Sequence, residues 1–371
     1  MRSAVEIVTE AAAGEGLAVV KAIPRSPDHL GVELRGPDGG LVAGQWFRDR
    51  DQARSVSAQT RRAAPGSGVR LLTGGLLLQP GGADRKLSGV RRLTESDGAT
   101  VVAHRPEKRA VVRLAPPGGE TTYVKVVRPR RLEATLRGAQ VTGTGIATPQ
   151  VRAVDDELAA VTFDALPGRT LFDLLGDPTV TEDRIEKVGN AVGEAVRRLH
   201  STVVTADLPT HDAAAELAVA RRWAGLAADH GLLGAHLDTV HGLLASAEAD
   251  LAAAPGPPVL LHRDLHDKQL LIDGVAVGML DFDLAALGDP ALDLANLLTH
   301  LELRARQERC SADRAHRCAA AVRAGYGPVP QSWQRRIAGY ELATRVRLAC
   351  VYAFRPAHAQ AAAQLVPATA V

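Results

Sequence analysis

The amino-acid sequence predicts an α+β protein with two lobes, and three observations lead to this class. Strand-like runs with turn residues dominate the first half of the 371-residue chain. Ala- and Leu-rich segments with helical spacing dominate the second half, where one β-rich stretch interrupts them at residues 259–283. Strands followed by helices are typical of α+β folds, and two such halves leave a cleft between them.

Composition narrows the function classes. The formal net charge is +2, from 44 Lys and Arg against 42 Asp and Glu, and aromatic residues make up 3% of the chain. Such a chain lacks the basic surface and the base-stacking side chains of a dedicated nucleic-acid-binding protein. The start of the chain carries Glu6 and Glu10 where a signal peptide needs an apolar run, and no segment approaches a membrane span. Cys310, Cys318 and Cys350 show no metal-ligand spacing. We therefore expect a cytoplasmic protein that binds neither nucleic acid nor membranes.

Residues 1–90 are predicted to form a leading unit of their own. Residues 17–48 have the turn residues and β-branched runs of a three-stranded meander. Residues 51–63 suit a short helix with Asp49 or Asp51 as its N-cap. A Gly- and Pro-rich stretch then precedes the boundary that we place near residue 90.

Residues 91–165 are predicted to form a second, sheet-based unit. Three strand-like runs with short connections occupy residues 99–105, 109–115 and 121–127. A helical pattern starts at Leu132, and residues 158–168 have the pattern of a buried strand that ends at Pro-Gly. Residues 166–371 are then mainly helical, with the β interruption noted above.

The β interruption carries the polar residues that suggest chemistry. A turn at residues 273–274 would join two apolar strands and place Gln269 opposite Gly278. Asp264 lies in the loop before this hairpin and Asp281 just after it, so the three polar side chains would meet at one edge. Two carboxylates and an amide oxygen suit a hard cation such as Mg²⁺, and one carboxylate could instead act as a base.

The motif resembles the catalytic and metal-binding loops of the eukaryotic-like kinase superfamily. The segment His262-Arg263-Asp264, followed by Gln269 and then by Asp281-Phe282-Asp283, is most similar to the aminoglycoside phosphotransferase branch. The resemblance implies a bilobal protein-kinase-like fold. Residues 91–165 would form an antiparallel-sheet N-lobe and residues 166–371 a mainly helical C-lobe, with residues 1–90 as an extra N-terminal cap unit. It also implies ATP and Mg²⁺ as cofactors, with Asp264 as the base and with Gln269 and Asp281 as metal ligands.

The departures from the kinase pattern point to a subgroup. Gln269 stands where asparagine is usual, Asp283 stands where protein kinases have glycine, and His266 follows the base by two residues. These features, together with the cap unit, resemble the maltokinase and glucosamine kinase group. Downstream, the aspartate at position 293 is implied to steady the catalytic loop. Asp289 is expected to cap the following helix.

The resemblance also implies the nucleotide-binding residues of the N-lobe. Lys125, in a predicted strand, matches the lysine that reaches the ATP phosphates, and Glu133 is the candidate for its ion-pair partner, although the helix dipole explains a first-turn glutamate equally well. The segment from Asp164 to Leu166 matches the hinge whose backbone reads adenine. The turn between the first two N-lobe strands lacks the glycines of protein kinases, and its cations (Arg105, Lys108 and Arg109) could compensate by charge or could form a solvated hairpin tip.

The expected function is ATP- and Mg²⁺-dependent phosphorylation of a hydroxyl group on a small molecule, namely a sugar, an aminosugar or an aminoglycoside. Two alternatives remain open: a kinase-like enzyme that modifies a peptide or protein side chain, and an ATP-binding pseudokinase scaffold. Charge does not identify the acceptor, because residues 205–258 carry a net −5 and residues 301–371 a net +7. No sequence feature specifies the oligomeric state.

Overall fold

The computed structural model describes residues 2–140, 145–204 and 207–366. Two five-stranded sheets come first in the chain and a mainly helical region follows, which confirms the predicted α+β class. None of the described helices is long and apolar enough to cross a membrane.

The first sheet, which we call the cap sheet, is antiparallel with strand order β1-β2-β3-β5-β4. The elements of this cap unit are α1 (Ala4–Ala13), β1 (Ala18–Ser26), β2 (His29–Arg35), β3 (Leu41–Phe47), α2 (Arg50–Ala63), β4 (Arg70–Leu71) and β5 (Leu76–Gln79). The predicted meander and helix are confirmed, and Asp49 is the N-cap of α2, where its carboxylate accepts from the N–H groups of Asp51 and Gln52. Helix α1 is not among the predicted elements; a capping box between Ser3 and Glu6 starts it.

The second sheet is also antiparallel, with strand order β6-β7-β8-β10-β9. It comprises α3 (Ser88–Thr94), β6 (Ala99–Arg105), β7 (Arg109–Leu114), β8 (Thr122–Val127), α4 (Pro129–Gln140), β9 (Val151–Asp155) and β10 (Ala160–Asp164). The three predicted strands and the buried strand are present. Helix α4 begins at Pro129 rather than at Leu132, because proline is well suited to a first helical turn. The residue-90 boundary falls inside α3, and Val90 packs with Val112 and Val124 of this sheet.

The remaining chain is mainly helical. Its helices are α5 (Leu171–Leu175), α6 (Glu182–His200), α7 (Ala213–Asp229), α8 (Leu237–Leu251), α9 (Ala291–Arg306), α10 (Ala312–Tyr326), α11 (Gln331–Ala353) and α12 (Ala359–Ala363). Its short strands are β11 (Arg169–Thr170), β12 (Thr210–His211), β13 (Val259–Leu261), β14 (Leu270–Asp273), β15 (Ala276–Met279) and β16 (Ala286–Gly288). Cys318 and Cys350 are buried, and Cys310 is half-buried.

The β14–β15 hairpin has a different register from the one predicted. Leu271 pairs with Gly278 and Asp273 with Ala276, so residues 274–275, rather than 273–274, form the two-residue turn. Gly274 adopts a φ of 57°, which fits the first central position of a type II′ turn. The shift moves Gln269 from opposite Gly278 to beside Leu280, whose N–H donates to the Gln269 carbonyl at 2.9 Å. Gln269 therefore lies closer to Asp281 than predicted.

The cap sheet contacts the helical region as well as the second sheet. The N–H of Ala22 in β1 donates to the carbonyl of Phe354 at 2.8 Å, just after α11. His230, which follows α7, hydrogen-bonds the carbonyl of Ser26 at 3.1 Å. Buried residues of the cap unit and of the helices belong to one continuous hydrophobic cluster. The cap therefore lies across the cleft and touches both of its sides.

Candidate active site

The loop at residues 262–269, between β13 and β14, is held by one face of α9. The buried carboxylate of Asp293 accepts from the N–H groups of His262 at 2.7 Å and Arg263 at 2.8 Å. Asn296, one turn further along α9, donates to the carbonyl of Leu265 at 2.9 Å. Burial alone would raise the pKa of Asp293, but its hydrogen bonds and the nearby His200 hold it below the usual range. The contact expected between Asp293 and this loop is present.

The same helix face fixes the middle of the loop. Arg304 makes two hydrogen bonds to the buried carboxylate of Asp267, at 2.7 and 2.9 Å. The His266 ring lies against that of His300, with 4.8 Å between the ring centroids. Burial lowers the pKa of His266 to about 4, so this ring is neutral at physiological pH. His266 therefore packs beneath the loop.

His262 joins the loop to the segment that carries Asp281. Its Nε2–H donates to the carbonyl of Leu280 at 2.7 Å, and its Nδ1 accepts from the N–H of Asp264 at 3.3 Å. These two bonds set the imidazole tautomer, because a carbonyl can only accept and an N–H can only donate. The ring also packs on Phe282. The positions of Asp264 and Asp281 are thus coupled through one side chain.

Lys125 contacts two carboxylates that follow the hairpin. Its Nζ lies 2.8 Å from Oδ1 of Asp281 and 2.6 Å from Oδ2 of Asp283. Arg109 lies 3.5 and 3.2 Å from the same two side chains. Burial alone would raise the pKa of Asp281, but the charges of Lys125 and Arg109 hold it well below its usual range. Both cations of this cluster come from the second sheet, and both anions come from the helical half.

The predicted Lys125–Glu133 ion pair is absent, and this corrects the expectation. Glu133 is exposed and pairs with Arg137 one turn along α4, at 2.9 Å. The helix turns Thr135 and Gly138 inward instead: a Cβ on Gly138 would lie 2.6 Å from the carbonyl oxygen of Phe282. Helix α4 therefore approaches the Asp281–Asp283 segment through its backbone, and the glutamate lies on the opposite face.

A cavity of about 490 Å³ brings together five of the seven residues singled out from the sequence. Lys125, Asp164, Leu166, Gln269 and Asp281 all line it. The N–H of Asp164 is already bonded to the carbonyl of Gln150 at 3.0 Å and so is not available for a hinge contact. The side chain of Gln269 makes no hydrogen bond with the described residues, so its amide oxygen is free.

Asp264 lines a second, adjoining cavity of about 590 Å³. Asp281 and Asp283 line both cavities and so mark where the two meet. Strands β1 and β2 of the cap, the β6–β7 turn, the start of α4, and α7 supply the other walls. Glu133 lines neither cavity.

The glycine-free β6–β7 turn is held by buried polar groups that the sequence patterns did not reveal. Glu107 adopts a φ of 62°, and its N–H donates to the buried carboxylate of Asp84 at 2.6 Å. The same carboxylate hydrogen-bonds His104 at 3.0 Å. Arg25 of β1 donates to the carbonyl of Pro106. These residues are scattered along the chain without a periodic pattern, and only the density of charge in the turn hints at them.

Comparison with solved structures shows which folds this one resembles. A macrolide 2'-phosphotransferase type I has 18% identity and a TM-score of 0.50, over 86% of this chain and 98% of that chain. An aminoglycoside-3'-phosphotransferase of type VIII has 22% identity and a TM-score of 0.50, over 70% of this chain and 96% of that chain. A Plasmodium vivax ethanolamine kinase has 12% identity and a TM-score of 0.52, over 75% of this chain and 83% of that chain. A search of the curated proteins found no match. The expected kinase-like fold is confirmed.

The family assignment comes from a family model. The model described as the phosphotransferase enzyme family matches residues 90–337, which is about two thirds of the chain. The match covers the second sheet, both cavities' polar residues outside the cap, and the loop held by α9. This chain therefore belongs to the phosphotransferase enzyme family.

Proposed function

We propose that this phosphotransferase uses ATP and Mg²⁺ to phosphorylate a hydroxyl group on a small, sugar-like molecule. The observation that carries the proposal is the pair of adjoining cavities. One is lined by Lys125, Gln269 and Asp281, the other is lined by Asp264, and Asp281 belongs to both. A nucleotide in the first cavity and an acceptor in the second would meet at Asp281.

The first cavity offers what a nucleotide needs. Its apolar walls include Val111, Phe163 and Leu166, against which a planar base can pack. Lys125 would leave its ion pairs with Asp281 and Asp283 to contact the phosphates. Arg109, on the turn side of the cavity, supplies a second cation. The carbonyl of Asp164 and the backbone of Leu166 would read the base edge.

The donor set fits a magnesium ion. Asp281 and Asp283 provide carboxylates and Gln269 an amide oxygen that is free of other hydrogen bonds, and Mg²⁺ prefers oxygen ligands of this kind. The cations that now neutralise the two carboxylates show that this position needs compensating positive charge. Bound Mg²⁺ would neutralise charge on the transferring phosphoryl group.

Asp264 would act on the acceptor. It would accept a hydrogen bond from the acceptor hydroxyl and take its proton as the oxygen attacks the γ-phosphorus of ATP. The new O–P bond forms while the bond to the β-phosphate oxygen breaks, and ADP leaves. His262 and Asp293 hold the loop that carries this carboxylate, which lines the second cavity. Positioning the acceptor hydroxyl in line with the γ-phosphate would contribute more to the rate acceleration than covalent catalysis would.

The chain would divide into three parts for this task. Residues 1–90 would form the cap unit, residues 91–165 the N-lobe and residues 166–371 the C-lobe.

His266, Gln269 and the cap support grouping the chain with the maltokinase and glucosamine kinase group. Because strands of the cap wall the acceptor cavity, the geometry favours a small acceptor over a protein side chain. The proposed ATP-dependent reaction of this protein would take place in the cytoplasm.

The test combines nucleotide binding with turnover. Binding of Mg·ATP by the purified protein is measured by calorimetry, and acceptor-dependent ADP release is measured with panels of sugars, aminosugars and aminoglycosides. Asp281→Ala should abolish Mg²⁺-dependent ATP binding and turnover while the fold stays intact. Asp97→Ala, at an exposed turn, serves as the matched control and should behave as wild type. Unchanged Mg·ATP affinity and turnover in Asp281→Ala would overturn the proposed function.

A further inference from the structure

The cavity that contains Asp264 is lined by an unusual number of cations. They come from the cap, the β6–β7 turn, the start of α4, and α7: Arg25, Arg105, Lys108, Arg109, Arg128, Arg130, Arg131 and Arg222. Its carboxylates are Glu33, Asp264, Asp281 and Asp283. Eight cations against four carboxylates give this lining a formal net charge of +4.

Most of these cations belong to the acceptor side alone. Arg105 and Arg109 also line the proposed nucleotide cavity, as do Glu33, Asp281 and Asp283. The groups that line only the second cavity are six cations and one carboxylate, Asp264. The excess of positive charge therefore lies beside the proposed base and outside the nucleotide cavity.

Seven of these eight cations form no ion pair with the described carboxylates. Among the described residues, Arg109 is the one member of the eight that forms an ion pair within 4 Å, with Asp281 and Asp283. Arg25 and Arg128 donate to backbone carbonyls of the β6–β7 turn. Unpaired cations around a concave surface create a positive potential that attracts an anion.

Bound ATP would neutralise only part of the positive charge that lines the two cavities. Mg·ATP carries a net charge of about −2, and Lys125, Arg105 and Arg109 already face the nucleotide cavity. The cations of the cap strand, of the α4 start and of α7 are left without an anionic partner by this assignment. A second anion in the Asp264 cavity would complete the charge balance.

We propose that the acceptor is itself anionic: a hydroxylated small molecule that carries a carboxylate or phosphate group. This inference rests on the proposed function, and it narrows the acceptor class by disfavouring polycationic aminoglycosides. The anionic group binds the arginines of the cap, α4 and α7, and the hydroxyl faces Asp264. Guanidinium groups suit this role because they form paired hydrogen bonds with both kinds of anion.

Arg222 and Arg131 are the best positions for a test. Both are exposed, and neither side chain makes a hydrogen bond or ion pair with the described residues, so removal of their charge costs no side-chain contact of the fold. Arg221 provides a matched control on the same helix as Arg222. It pairs with Glu248 at 2.6 Å and does not line the cavity.

The experiment measures probe binding to the protein saturated with Mg²⁺ and a non-hydrolysable ATP analogue. Glucose, glucosamine, kanamycin, glucuronate and glucose 6-phosphate are titrated by calorimetry at two salt concentrations. We expect at least one anionic probe to bind about tenfold or more tightly than glucose and to lose affinity as salt increases. Arg222→Gln and Arg131→Gln should each weaken that binding about tenfold, and Arg221→Gln should leave it unchanged. The carboxylate and phosphate probes distinguish the two kinds of anion.

Three results would overturn the inference: glucose or kanamycin binding as tightly as the anions, neither anion binding to the analogue-loaded protein, or Arg222→Gln weakening neutral and anionic probes equally. The proposed function fails by a different result. If the protein does not bind the ATP analogue, or if it binds the anions but phosphorylates no acceptor, the kinase proposal is contradicted. The anion-binding site would still be supported by the anion titrations.

Discussion

At the scale of single residues, the site depends on side chains whose backbone conformations are uncommon. Asp281 adopts a φ of 61° and Arg263 a φ of 68°, both in the left-handed region. Such conformations cost energy, and they persist only where surrounding contacts hold them. The hydrogen bonds of His262 and Asp293 provide those contacts on either side of Asp264. Asp281 is a proposed metal ligand and Arg263 directly precedes the proposed base, so both uncommon conformations lie at the proposed site.

The first prediction concerns Asp264, because its substitution distinguishes an enzyme from a nucleotide-binding scaffold. Asp264→Asn should lower kcat by about 10²–10⁴-fold, because a positioned base contributes a factor of this size. Mg·ATP affinity should stay within a few-fold, since Asp264 does not line the nucleotide cavity. The measurement is ADP release with a true acceptor, alongside ATP calorimetry on wild type and variant. Turnover of that acceptor at the wild-type rate would contradict the assignment of the base.

The second prediction concerns Gln269 as an oxygen ligand. Gln269→Asn keeps an amide oxygen, although on a shorter side chain, and should retain partial activity. Gln269→Leu has a similar volume but no oxygen, and it should lose nearly all activity and need more Mg²⁺ for half-maximal rate. Steady-state rates over a Mg²⁺ titration test both variants. Equal, wild-type-like rates for the two would mean that this position is structural.

At the scale of elements, the packing of α4 on the Asp281–Asp283 segment gives the third prediction. A methyl group at Gly138 would meet the backbone of Phe282 at 2.6 Å, so Gly138→Ala must push the helix and the segment apart. We expect at least a tenfold loss in kcat/KM. Any gain in stability should be small, because overpacking offsets the higher helix propensity of alanine.

The control for this variant is Gly242→Ala in α8, where a Cβ would meet nothing within 4 Å. This change should raise the free energy of unfolding by up to about 1 kcal/mol and leave the kinetics unchanged. Chemical denaturation and steady-state kinetics compare the two variants. Wild-type kinetics in Gly138→Ala would show that the close approach does not matter for the site.

Elements also show how far the sequence could predict the molecule. The strands at residues 17–48 and 99–127, the main helices and the cavity residues Lys125, Asp264, Gln269 and Asp281 could be predicted, because alternation, helical spacing and the His-Arg-Asp motif are local signals. The hairpin register could not, because residues 273–274 and 274–275 are both acceptable turns, and tertiary contacts decide between them. The position of Glu133 on the next helix favours it as the partner of Lys125, yet the rotation of this helix places Glu133 in solvent. Rotation depends on packing partners that are distant in sequence.

At the scale of the whole molecule, the cap links the two sides of the cleft. It holds the β6–β7 turn through Asp84 and Arg25, and it contacts the end of α11 through Ala22. Contacts with the cap therefore hold the conformation of the β6–β7 turn. The corresponding turn of protein kinases contains glycines instead. These contacts join segments that are far apart in sequence, so no periodic pattern reveals them. Substitutions that remove these contacts should lower the free energy of unfolding and also change the conformation of the β6–β7 turn.

The last prediction tests this network through Glu107, which contacts Arg85 and Lys86 at 2.7 Å each. Burial alone would raise the pKa of Glu107, but its two cationic partners lower it from 4.5 to about 2. A carboxylate with a lowered folded-state pKa stabilises the fold above its unfolded-state pKa. That contribution is lost as the pH falls from about 4.5 towards 2, because the protonated group no longer attracts the cations.

Glu107→Gln should therefore lower the free energy of unfolding at pH 7 by about 1–2 kcal/mol, allowing for partial screening of the pair by solvent. The difference from wild type should shrink as the pH falls below about 4.5, where protonated glutamate and glutamine become equivalent. Urea denaturation between pH 7 and pH 2.5 measures this difference. Glu133→Gln, which breaks an exposed pair on α4, is the matched control and should track wild type at every pH. A Glu107→Gln difference that is independent of pH would show that shape, not charge, holds the turn to the cap.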